Sequence, residues 1–540
     1  MNRNIVELRN ALLKLKPLHD NPIGLIHPYW ARKPFNIVDT IITWLSRPGE
    51  TILDPFMGSG TIVFSALSQN RSTFGSDLNP LSSFLVKAIL ELGLKPNSID
   101  IFAEKFLAQL KEKVLPWYKL KNKNEYIERE RFEVYGEYEN GQFHLKRIEA
   151  ITKTLCGKKW ISRKKYTKCD DLVLEKKPNR NHLNKPINFE KIEMIPNSRI
   201  AIPKGAKLSH YYTELNRTVI NYALCLTKEK DLSKSEKTFR KLLISSSLPL
   251  LRLSDKKASS QWPYWRPKKL LTSRNAVIVF ENRIEAVKNM VNWVSEYIPN
   301  YSLIKKFPKL DGLSVSIGTC AIQDLQRRYL QKEKFNLILT DPPYSDQVPY
   351  LEYSDLWIKL LELGETSKLF NKEIVHSNSP IRLNDSLDYL RRLCKGFDAC
   401  CHLALNNGHV VWFYQDYSLI HWCKINEIAK KNGMVMIDII PISKQRRSFK
   451  TVTSPGCTLD GDLILIYKKR KLMRFNKSNK NINIVLSQLR LKVANFKSST
   501  NLFEIYAMTI AHILKNDQVE VLSKHFPDVR ELISHIIKEG

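Results

Sequence analysis

The N-terminal part of the chain alternates short apolar runs with stretches in which apolar residues recur at helical spacing. Short apolar runs bounded by turn residues predict buried strands, whereas recurrence at three and four positions predicts amphipathic helices. The predicted elements are helices at 6–15 and 36–45, a strand at 51–53, a helix at 61–68, a strand at 72–76 and a helix at 80–94. Strands and helices that alternate at such short spacing predict βαβ units and a parallel sheet.

This alternation stops near residue 97 and returns near residue 313. The second part contains predicted strands at 313–317, 335–340, 409–413, 434–440 and 463–467, and predicted helices at 321–332, 351–363, 383–405 and 420–431. Proteins with a parallel sheet bind their ligands at the carboxyl ends of the strands. Asp54, Asp77 and Asp341 each follow a predicted strand and would lie at that edge. The sequence therefore predicts one α/β sheet that is built from two separated segments and carries a shared crevice.

The stretch between the two segments has a different pattern. Residues 131–148 alternate apolar and polar positions around Glu139-Asn-Gly141, which predicts a hairpin. Residues 207–226 and 277–293 have helical periodicity, and residues 145–186 carry 13 Lys or Arg against 4 Asp or Glu. We therefore predict four regions, namely core segments at 1–97 and 301–470, a basic α+β insertion at 98–300 and a helical accessory segment at 471–540.

Charge and hydropathy narrow the class of protein. The 540 residues contain 86 Lys or Arg against 54 Asp or Glu, a formal charge of +32 at pH 7. Such an excess is expected where the partner is a polyanion such as nucleic acid, although lysine-rich codon usage is an alternative cause. No apolar run is long enough to span a membrane, and the first residues lack the apolar stretch of a secretion signal. We predict a cytoplasmic protein without membrane contact.

The nine cysteines include no CxxC pair, so neither a disulfide framework nor a zinc ribbon is predicted. Cys156 and Cys169 flank a basic loop, but two such residues cannot complete a four-ligand zinc site. Cys400-Cys401-His402 lies in an apolar helical stretch and is predicted to be core. We predict no metal site.

Asp341-Pro-Pro-Tyr344 follows the apolar strand at 335–340 and is the most informative motif of the chain. A carboxylate and a proline carbonyl can accept hydrogen bonds from an exocyclic amino group, and a tyrosine ring can stack on a planar base. The prolines fix the backbone that carries these groups. This combination predicts a site for the amino group of a nucleobase.

A glycine-bearing turn, Asp54-Pro-Phe-Met-Gly-Ser-Gly-Thr61, follows the first predicted strand. Its glycines allow a sharp turn and a close approach to a ligand at the start of the next helix. The turn lacks the third glycine of the dinucleotide fingerprint and the Gly-Lys-Ser/Thr ending of a phosphate loop. Asp77 closes the next strand, where it could accept hydrogen bonds from ribose hydroxyls or cap the helix that begins at Pro80.

Together, the glycine turn and the Asp-Pro-Pro-Tyr motif resemble those of the S-adenosylmethionine-dependent amino-methyltransferases that modify adenine N6 or cytosine N4 in DNA. The resemblance implies a Rossmann-like methyltransferase sheet, with the insertion as target-recognition region. It implies that the aromatic and basic segment His27–Pro34 closes over the cofactor. The implied cofactor-binding residues are Tyr29, Arg32, Lys33, Asp54, Phe56, Gly58, Gly60, Thr61 and Asp77. The implied catalytic residues are Asp341, Pro342, Pro343 and Tyr344.

The implied substrate is a flipped base of double-stranded DNA. Aspartate in the catalytic motif favours adenine over cytosine N4, for which serine often stands at this place. Methylation at cytosine C5 is disfavoured because the chain contains no Pro-Cys dipeptide. An RNA base methyltransferase and an inactive nucleic-acid-binding module remain alternatives. A restriction endonuclease partner would be encoded by another chain.

The chain departs from the family pattern at Ile317–Asp324, where Thr319 or Cys320 replaces an expected acid. Asp324 is predicted to be a surface helix residue. Tyr350 is a candidate for the base pocket, whereas Trp357 is predicted to be core. Basic and aromatic residues interleave at 160–168 and 261–269, and basic residues cluster at 444–450; these stretches are candidate contacts for DNA.

Overall fold

The computed structural model contains fourteen strands and seventeen α-helices within the part of the chain that it describes. It describes residues 5–19, 21–30, 32–135, 143–157, 159–162, 167–168, 173–178, 186–255, 268–305, 312–325, 327–328, 333–344, 348–382, 385–443, 461–470, 481–494 and 502–538. The strands are β1 (Thr51–Asp54), β2 (Ser72–Asp77), β3 (Glu125–Tyr135), β4 (His144–Cys156), β5 (Lys159–Ser162), β6 (Thr167–Lys168), β7 (Ser254–Asp255), β8 (Leu270–Arg274), β9 (Ser302–Leu303), β10 (Ser314–Thr319), β11 (Phe335–Thr340), β12 (Ala404–Tyr414), β13 (Met434–Ser443) and β14 (Gly461–Lys469).

The helices lie between these strands and after the last of them. They are α1 (Ile5–Lys14), α2 (Pro22–Ile26), α3 (Phe35–Leu45), α4 (Thr61–Ser68), α5 (Pro80–Gly93), α6 (Ile99–Val114), α7 (Glu214–Leu226), α8 (Lys234–Leu251), α9 (Ala276–Tyr297), α10 (Ile322–Leu325), α11 (Tyr350–Leu360), α12 (Ser386–Leu403), α13 (Leu419–Lys431), α14 (Ile482–Ala494), α15 (Leu502–Lys515), α16 (Val519–Ser523) and α17 (Val529–Lys538). Short 3-10 helices lie at Pro96–Ser98, Leu115–Tyr118, Phe189–Lys191, Ser198–Ile200, Leu208–Tyr211 and Thr366–Lys372.

An eight-stranded sheet combines the two predicted core segments. Its order is β13-β14-β12-β11-β1-β2-β10-β9. Of these eight strands, β14 runs in the opposite direction to the other seven. Strand β1 lies between β2 and β11, so the glycine turn after β1 and the motif after β11 emerge at the same sheet edge. The expectation of one α/β sheet from two distant segments is confirmed, whereas the expected parallel arrangement is wrong for β14, which pairs antiparallel with β12 and β13.

Helices cover both faces of this sheet, and β11 shows why its sequence is continuously apolar. Leu337 and Leu339 contact a core formed with α1, α3 and α4, whereas Ile338 faces a second core with α12. Strands that are buried on both faces read as apolar runs without alternation. The run 335–340 therefore forms a central strand.

The insertion forms a second, antiparallel sheet of six strands and shares a core with the first segment. Its order is β5-β4-β3-β8-β7, and β6 pairs with β4. The predicted hairpin is confirmed in the pairing of β3 with β4, while its turn at 139–141 lies outside the described residues. Helices α8 and α9 pack against α5 in one large apolar core, so the insertion is attached along a broad contact.

The C-terminal helices pack on the second core segment. Phe503, Tyr506 and Ile510 of α15 are buried in the same core as Trp412 of β12. Within the described residues, no helix has both the length and the apolar character that crossing a bilayer requires.

Two predicted helices differ from the observed ones. The helical pattern of 207–226 divides into a 3-10 turn and α7, because Tyr212 is extended and Thr213 caps α7 by accepting a hydrogen bond from the amide of Asn216. The helix predicted at 321–332 is described only as α10, and much of the remainder lies outside the described residues.

Candidate active site

The turn after β1 depends on its two glycines. Gly58 and Gly60 have φ values of +51° and +85°, in the left-handed region that favours glycine. A Cβ atom on Gly58 would lie 3.0 Å from the Tyr29 ring, and one on Gly60 would lie 2.8 Å from Phe64 and Val86. The turn thus packs closely between the N-terminal segment and α5, and it brings the backbone of Gly58 to the surface of a cleft.

Asp77 at the end of β2 holds this turn in place. Its carboxylate accepts hydrogen bonds from the amides of Gly58 (2.9 Å) and Asn79 (2.8 Å). The cap of α5 is Asn79, whose side chain accepts from Leu81, so the alternative of Asp77 as the cap is wrong. Burial raises the pKa of Asp77 to about 6 despite these hydrogen bonds.

Asp54 joins the glycine turn to the strand that precedes Asp341. The carboxylate accepts a hydrogen bond of 2.7 Å from the Thr340 hydroxyl and one of 3.2 Å from the Phe56 amide. Its side chain is buried, and burial raises its pKa to about 8. Asp54 lines the cleft, but its hydrogen bonds give it a structural part that the sequence did not indicate.

Asp341 directly follows the last residue of β11 and lies in a cluster of charged groups. Its Oδ1 atom is 3.1 Å from Nζ of Lys33, which also lies 2.7 Å from Oδ2 of Asp462. Burial raises the pKa of Asp341 to about 6, although the charge of Lys33 opposes this rise. Burial works to lower the pKa of Lys33, but the two carboxylates outweigh it and raise that pKa.

The other residues of the Asp-Pro-Pro-Tyr motif have fixed surroundings. The Tyr389 hydroxyl donates to the Pro343 carbonyl at 3.1 Å. Tyr344 is only 9% exposed, and its hydroxyl accepts a hydrogen bond of 2.9 Å from Lys33. The Tyr344 ring meets Tyr414 edge to face with 6.0 Å between centroids. Tyr344 therefore lies beneath the cleft surface, and stacking on a base would require this ring to become more exposed.

The N-terminal segment forms the opposite side of the cleft. Tyr29 stacks on Tyr350 at 6.0 Å between ring centroids, and Trp30 meets Tyr353 edge to face at 4.8 Å. The guanidinium of Arg32 donates a hydrogen bond to the Gly24 carbonyl. Trp357 is fully buried, as predicted, and donates to the Ser245 carbonyl. These aromatic contacts attach the segment to α11 rather than leaving it free over the cleft.

A single cleft contains most of the predicted site residues. It encloses about 860 Å³ of empty space, part of it open to solvent. The predicted residues that line it are Tyr29, Arg32, Lys33, Asp54, Phe56, Gly58, Thr61, Asp77, Asp341 and Pro343. The lining does not include Gly60, Pro342 or Tyr344. Gly58 and Asp341 thus face one hollow, as the sequence predicted from two separate motifs.

Several lining or neighbouring residues were missed by the sequence analysis. Asp462 is the second residue of β14, and an acid near the start of an apolar strand was the available signal. Lys372, the last residue of the 3-10 helix Thr366–Lys372, and Glu373 also line the cleft, and no local pattern marks them. Burial raises the pKa of Glu373 to about 7, although Arg382 opposes this rise. Their positions follow from tertiary packing alone.

The segment after β10 lacks the acid that the family pattern contains. Cys320 and Gln323 line the cleft there, and the Cys320 amide donates to the Asp77 carbonyl at 3.0 Å. Asp324 is instead paired with Lys372 at 2.6 Å and does not line the cleft. This agrees with the expectation that Asp324 is a surface residue of the helix.

The remaining candidates lie elsewhere or outside the described part of the chain. Trp160 packs against Tyr126 and donates to Glu281 at 2.7 Å, so its ring belongs to the insertion core. Cys400 and Cys401 are buried, as predicted, whereas His402 is exposed. The clusters at 163–166, 261–267 and 444–450 lie outside the described residues. Within the described ranges, no group of His, Cys, Asp and Glu has the arrangement of a metal site.

Comparison with known proteins gives one finding. The family model described as DNA methylase matches residues 12–82, which include the N-terminal segment, the glycine turn and Asp77. A search of curated proteins finds no significant match. The match supports DNA amino-methyltransferase activity in general and does not distinguish adenine from cytosine. Over residues 12–82, the predicted resemblance to the amino-methyltransferase family is confirmed.

Proposed function

We propose that the protein transfers a methyl group from S-adenosylmethionine to N6 of adenine in double-stranded DNA. The observation that carries this proposal is the shared cleft, in which the glycine turn at Gly58 and the carboxylate of Asp341 face the same space. The eight-stranded sheet would then be the Rossmann-like sheet of a methyltransferase, with its ligands at the carboxyl ends of the strands.

The glycine side of the cleft fits the cofactor. Only a residue without Cβ leaves the backbone at Gly58 open, because an added Cβ would meet Tyr29 at 3.0 Å. The Asp77 carboxylate lines the same part of the cleft and could accept a ribose hydroxyl. We assign the cofactor to Tyr29, Arg32, Lys33, Asp54, Phe56, Gly58, Gly60, Thr61 and Asp77. When bound, S-adenosylmethionine supplies a methyl group on a positively charged sulfur.

The acceptor side follows from the chemistry of an exocyclic amine. The lone pair of such a nitrogen is delocalised into the ring, which makes it a poor nucleophile. Asp341 and the Pro342 carbonyl would accept its two hydrogens and draw the nitrogen towards tetrahedral geometry. The Asp341 carboxylate is also placed to receive the proton that the nitrogen releases after the new bond forms. Alignment of two bound reactants contributes roughly 7–11 kcal/mol in favourable cases.

Each region of the chain would have a separate role in this reaction. We propose residues 1–97 and 301–470 as the catalytic core, 98–300 as the target-recognition region and 471–540 as an accessory segment. Tyr344 would stack on the flipped base, and such stacking contributes about 1–3 kcal/mol. The aspartate of the catalytic motif favours adenine over cytosine N4. We further propose a cytoplasmic role in restriction and modification.

A substrate experiment tests this proposal. Purified protein is incubated with labelled cofactor and with duplex DNA, single-stranded DNA or RNA, and the products are digested to nucleosides for mass spectrometry. N6-methyladenine from duplex DNA supports the proposal. N4-methylcytosine would correct the base, label in RNA alone would overturn the DNA substrate, and nucleic-acid binding without transfer would favour an inactive binding module.

A further inference from the structure

The ammonium group of Lys33 is bound by three acceptors that come from distant parts of the chain. Its Nζ atom lies 3.1 Å from Asp341, 2.7 Å from Asp462 and 2.9 Å from the Tyr344 hydroxyl. The side chain of Lys33 is 8% exposed. Lys33 donates hydrogen bonds to Asp462 and to the Tyr344 hydroxyl, and it forms an ion pair with Asp341, so these contacts hold its ammonium group beside the Asp341 carboxylate.

Two aromatic rings complete the surroundings of this ammonium. Nζ lies 5.0 Å from the ring centroid of Tyr344 and 5.1 Å from that of Phe413, both within cation–π range. One ammonium thus lies close to two carboxylates whose side chains are largely buried. In such surroundings, removing one partner of an ion pair leaves an uncompensated charge. The charge state of Asp341 must therefore depend on Lys33 and on Asp462, in opposite directions.

Resting on the proposed function, we propose that Lys33 and Asp462 are positioning residues for methyl transfer. Lys33 holds the Asp341 carboxylate in its charged form, in which both oxygens can accept hydrogen bonds, and aims it into the cleft. Asp462 also pairs with the Lys33 ammonium, and it therefore weakens the interaction between Lys33 and the Asp341 carboxylate. The carboxylate consequently stays charged while remaining available to the amino group of the base.

The groups around Asp341 allow the two effects to be separated. Among the described residues, the titratable and charged groups that face Asp341 are Lys33, Asp54, Tyr344, Tyr350 and Asp462. Burial raises the pKa of both tyrosines well above the ordinary value, so they stay neutral at working pH. Removing the Lys33 charge should raise the pKa of Asp341, and removing the Asp462 charge should lower it.

The first test is the pH dependence of transfer. The single-turnover rate is measured with saturating cofactor and duplex DNA for the wild type, Lys33→Gln and Asp462→Asn. The acid limb of the profile is the range in which the rate falls as pH decreases. We expect this limb to move to higher pH in Lys33→Gln and to lower pH in Asp462→Asn, each by about one pH unit or more. Lys33→Arg should restore the limb towards that of the wild type. Limbs that stay in place, or move in the same direction, would overturn the inference.

A matched control lies in α11. Lys359 forms a comparable ion pair with the buried Asp355 at 2.6 Å, and neither residue lines the cleft. Lys359→Gln should leave the acid limb in its wild-type position. If Lys359→Gln moved the limb as Lys33→Gln does, the effect would be general and the inference would be wrong.

The second test does not require activity. The carboxyl carbon of Asp341 is titrated by NMR in protein with 13C-labelled aspartate, with the signal assigned through Asp341→Asn. The titration should move in opposite directions in Lys33→Gln and Asp462→Asn. If the wild type transfers methyl groups but neither substitution shifts the titration of Asp341, this inference is wrong while the proposed function stands. Absence of transfer from the wild type to any nucleic acid would overturn the proposed function instead.

Discussion

The hydroxyl of Thr340 donates a hydrogen bond of 2.7 Å to the buried carboxylate of Asp54, a residue 286 positions earlier in the chain. This contact joins the end of β11 to the start of the glycine turn. Because Asp341 follows Thr340 directly, the contact also fixes the distance between the two sides of the cleft. A single buried carboxyl group therefore couples the two motifs from which the function was inferred.

The first prediction concerns the titration of Asp54. Burial raises its pKa to about 8, whereas an unfolded aspartate titrates at about 3.9. Between these pH values the folded state keeps a proton that the unfolded chain has lost, so this residue's contribution to stability falls as pH rises. The free energy of unfolding of Asp54→Asn minus that of the wild type should increase over this window, by at most about 1.4 kcal/mol per pH unit.

Chemical denaturation at pH values from about 2 to 9 measures this difference and covers the titration ranges of both aspartates. Asp324→Asn is the control, because Lys372 lowers the pKa of Asp324 despite partial burial. For Asp324→Asn the difference from the wild type should instead fall as pH rises through the acid range. A flat difference for Asp54→Asn would contradict the assignment of a raised pKa.

The second prediction concerns Gly58. In Gly58→Ala the new methyl group would meet the Tyr29 ring, and a left-handed conformation costs a residue with Cβ about 1–2 kcal/mol. The turn must then shift, and we expect the affinity for S-adenosylmethionine to fall about tenfold. Gly49→Ala is the matched control, since Gly49 has φ of +84° with no atom within 4 Å of an added Cβ. Isothermal calorimetry should show unchanged affinity for this control.

The third prediction concerns Asp341. Asp341→Asn keeps the shape of the side chain but replaces one acceptor oxygen with a donor that cannot bind an amino hydrogen. Loss of one preorganised electrostatic contact of this kind reduces turnover about 100-fold or more. We expect this reduction in methyl transfer with cofactor affinity close to that of the wild type. A variant of full activity would exclude the role assigned to Asp341.

The fourth prediction concerns the basic insertion. Lys146 and Lys168 are exposed on β4 and β6, within the basic stretch at 145–186. If each contacts a phosphate, Lys146→Ala/Lys168→Ala should reduce the slope of log K against log salt by about 1.8. Fluorescence anisotropy with duplex DNA measures that slope. Lys492→Ala/Lys538→Ala, which alters exposed lysines of the C-terminal helices, should leave it unchanged; equal effects would contradict recognition by the insertion.

Local patterns were sufficient for most elements of the central sheet. Helix α4 and strand β11 have the predicted bounds, because their apolar spacing and flanking turn residues agree with their tertiary surroundings. Convergence of the glycine turn and Asp341 was also predictable, since parallel strands place their carboxyl ends at one edge. The amino-methyltransferase resemblance added the order of the motifs.

Other parts of the site depend on contacts between distant segments. The pairing of Lys33 with Asp462 joins the N-terminal segment to β14, and neither residue has a local pattern that names its partner. Tyr344 was expected to face a base, yet packing against Tyr414 and Lys33 buries its ring. Likewise, the helical pattern at 207–226 gave no sign that Thr213 would cap a new helix.

The packing of the insertion against α5 limits how this protein could acquire a new recognition sequence. Val294 of α9 lies so close to Gly93 of α5 that a Cβ atom added to Gly93 would meet Val294 at 2.3 Å. A chimaera in which all of residues 98–300 were exchanged would lose the apolar contacts that α8 and α9 make with α5. Recombination confined to the antiparallel sheet would keep that cover, so the sheet is the part of the insertion that can diverge freely.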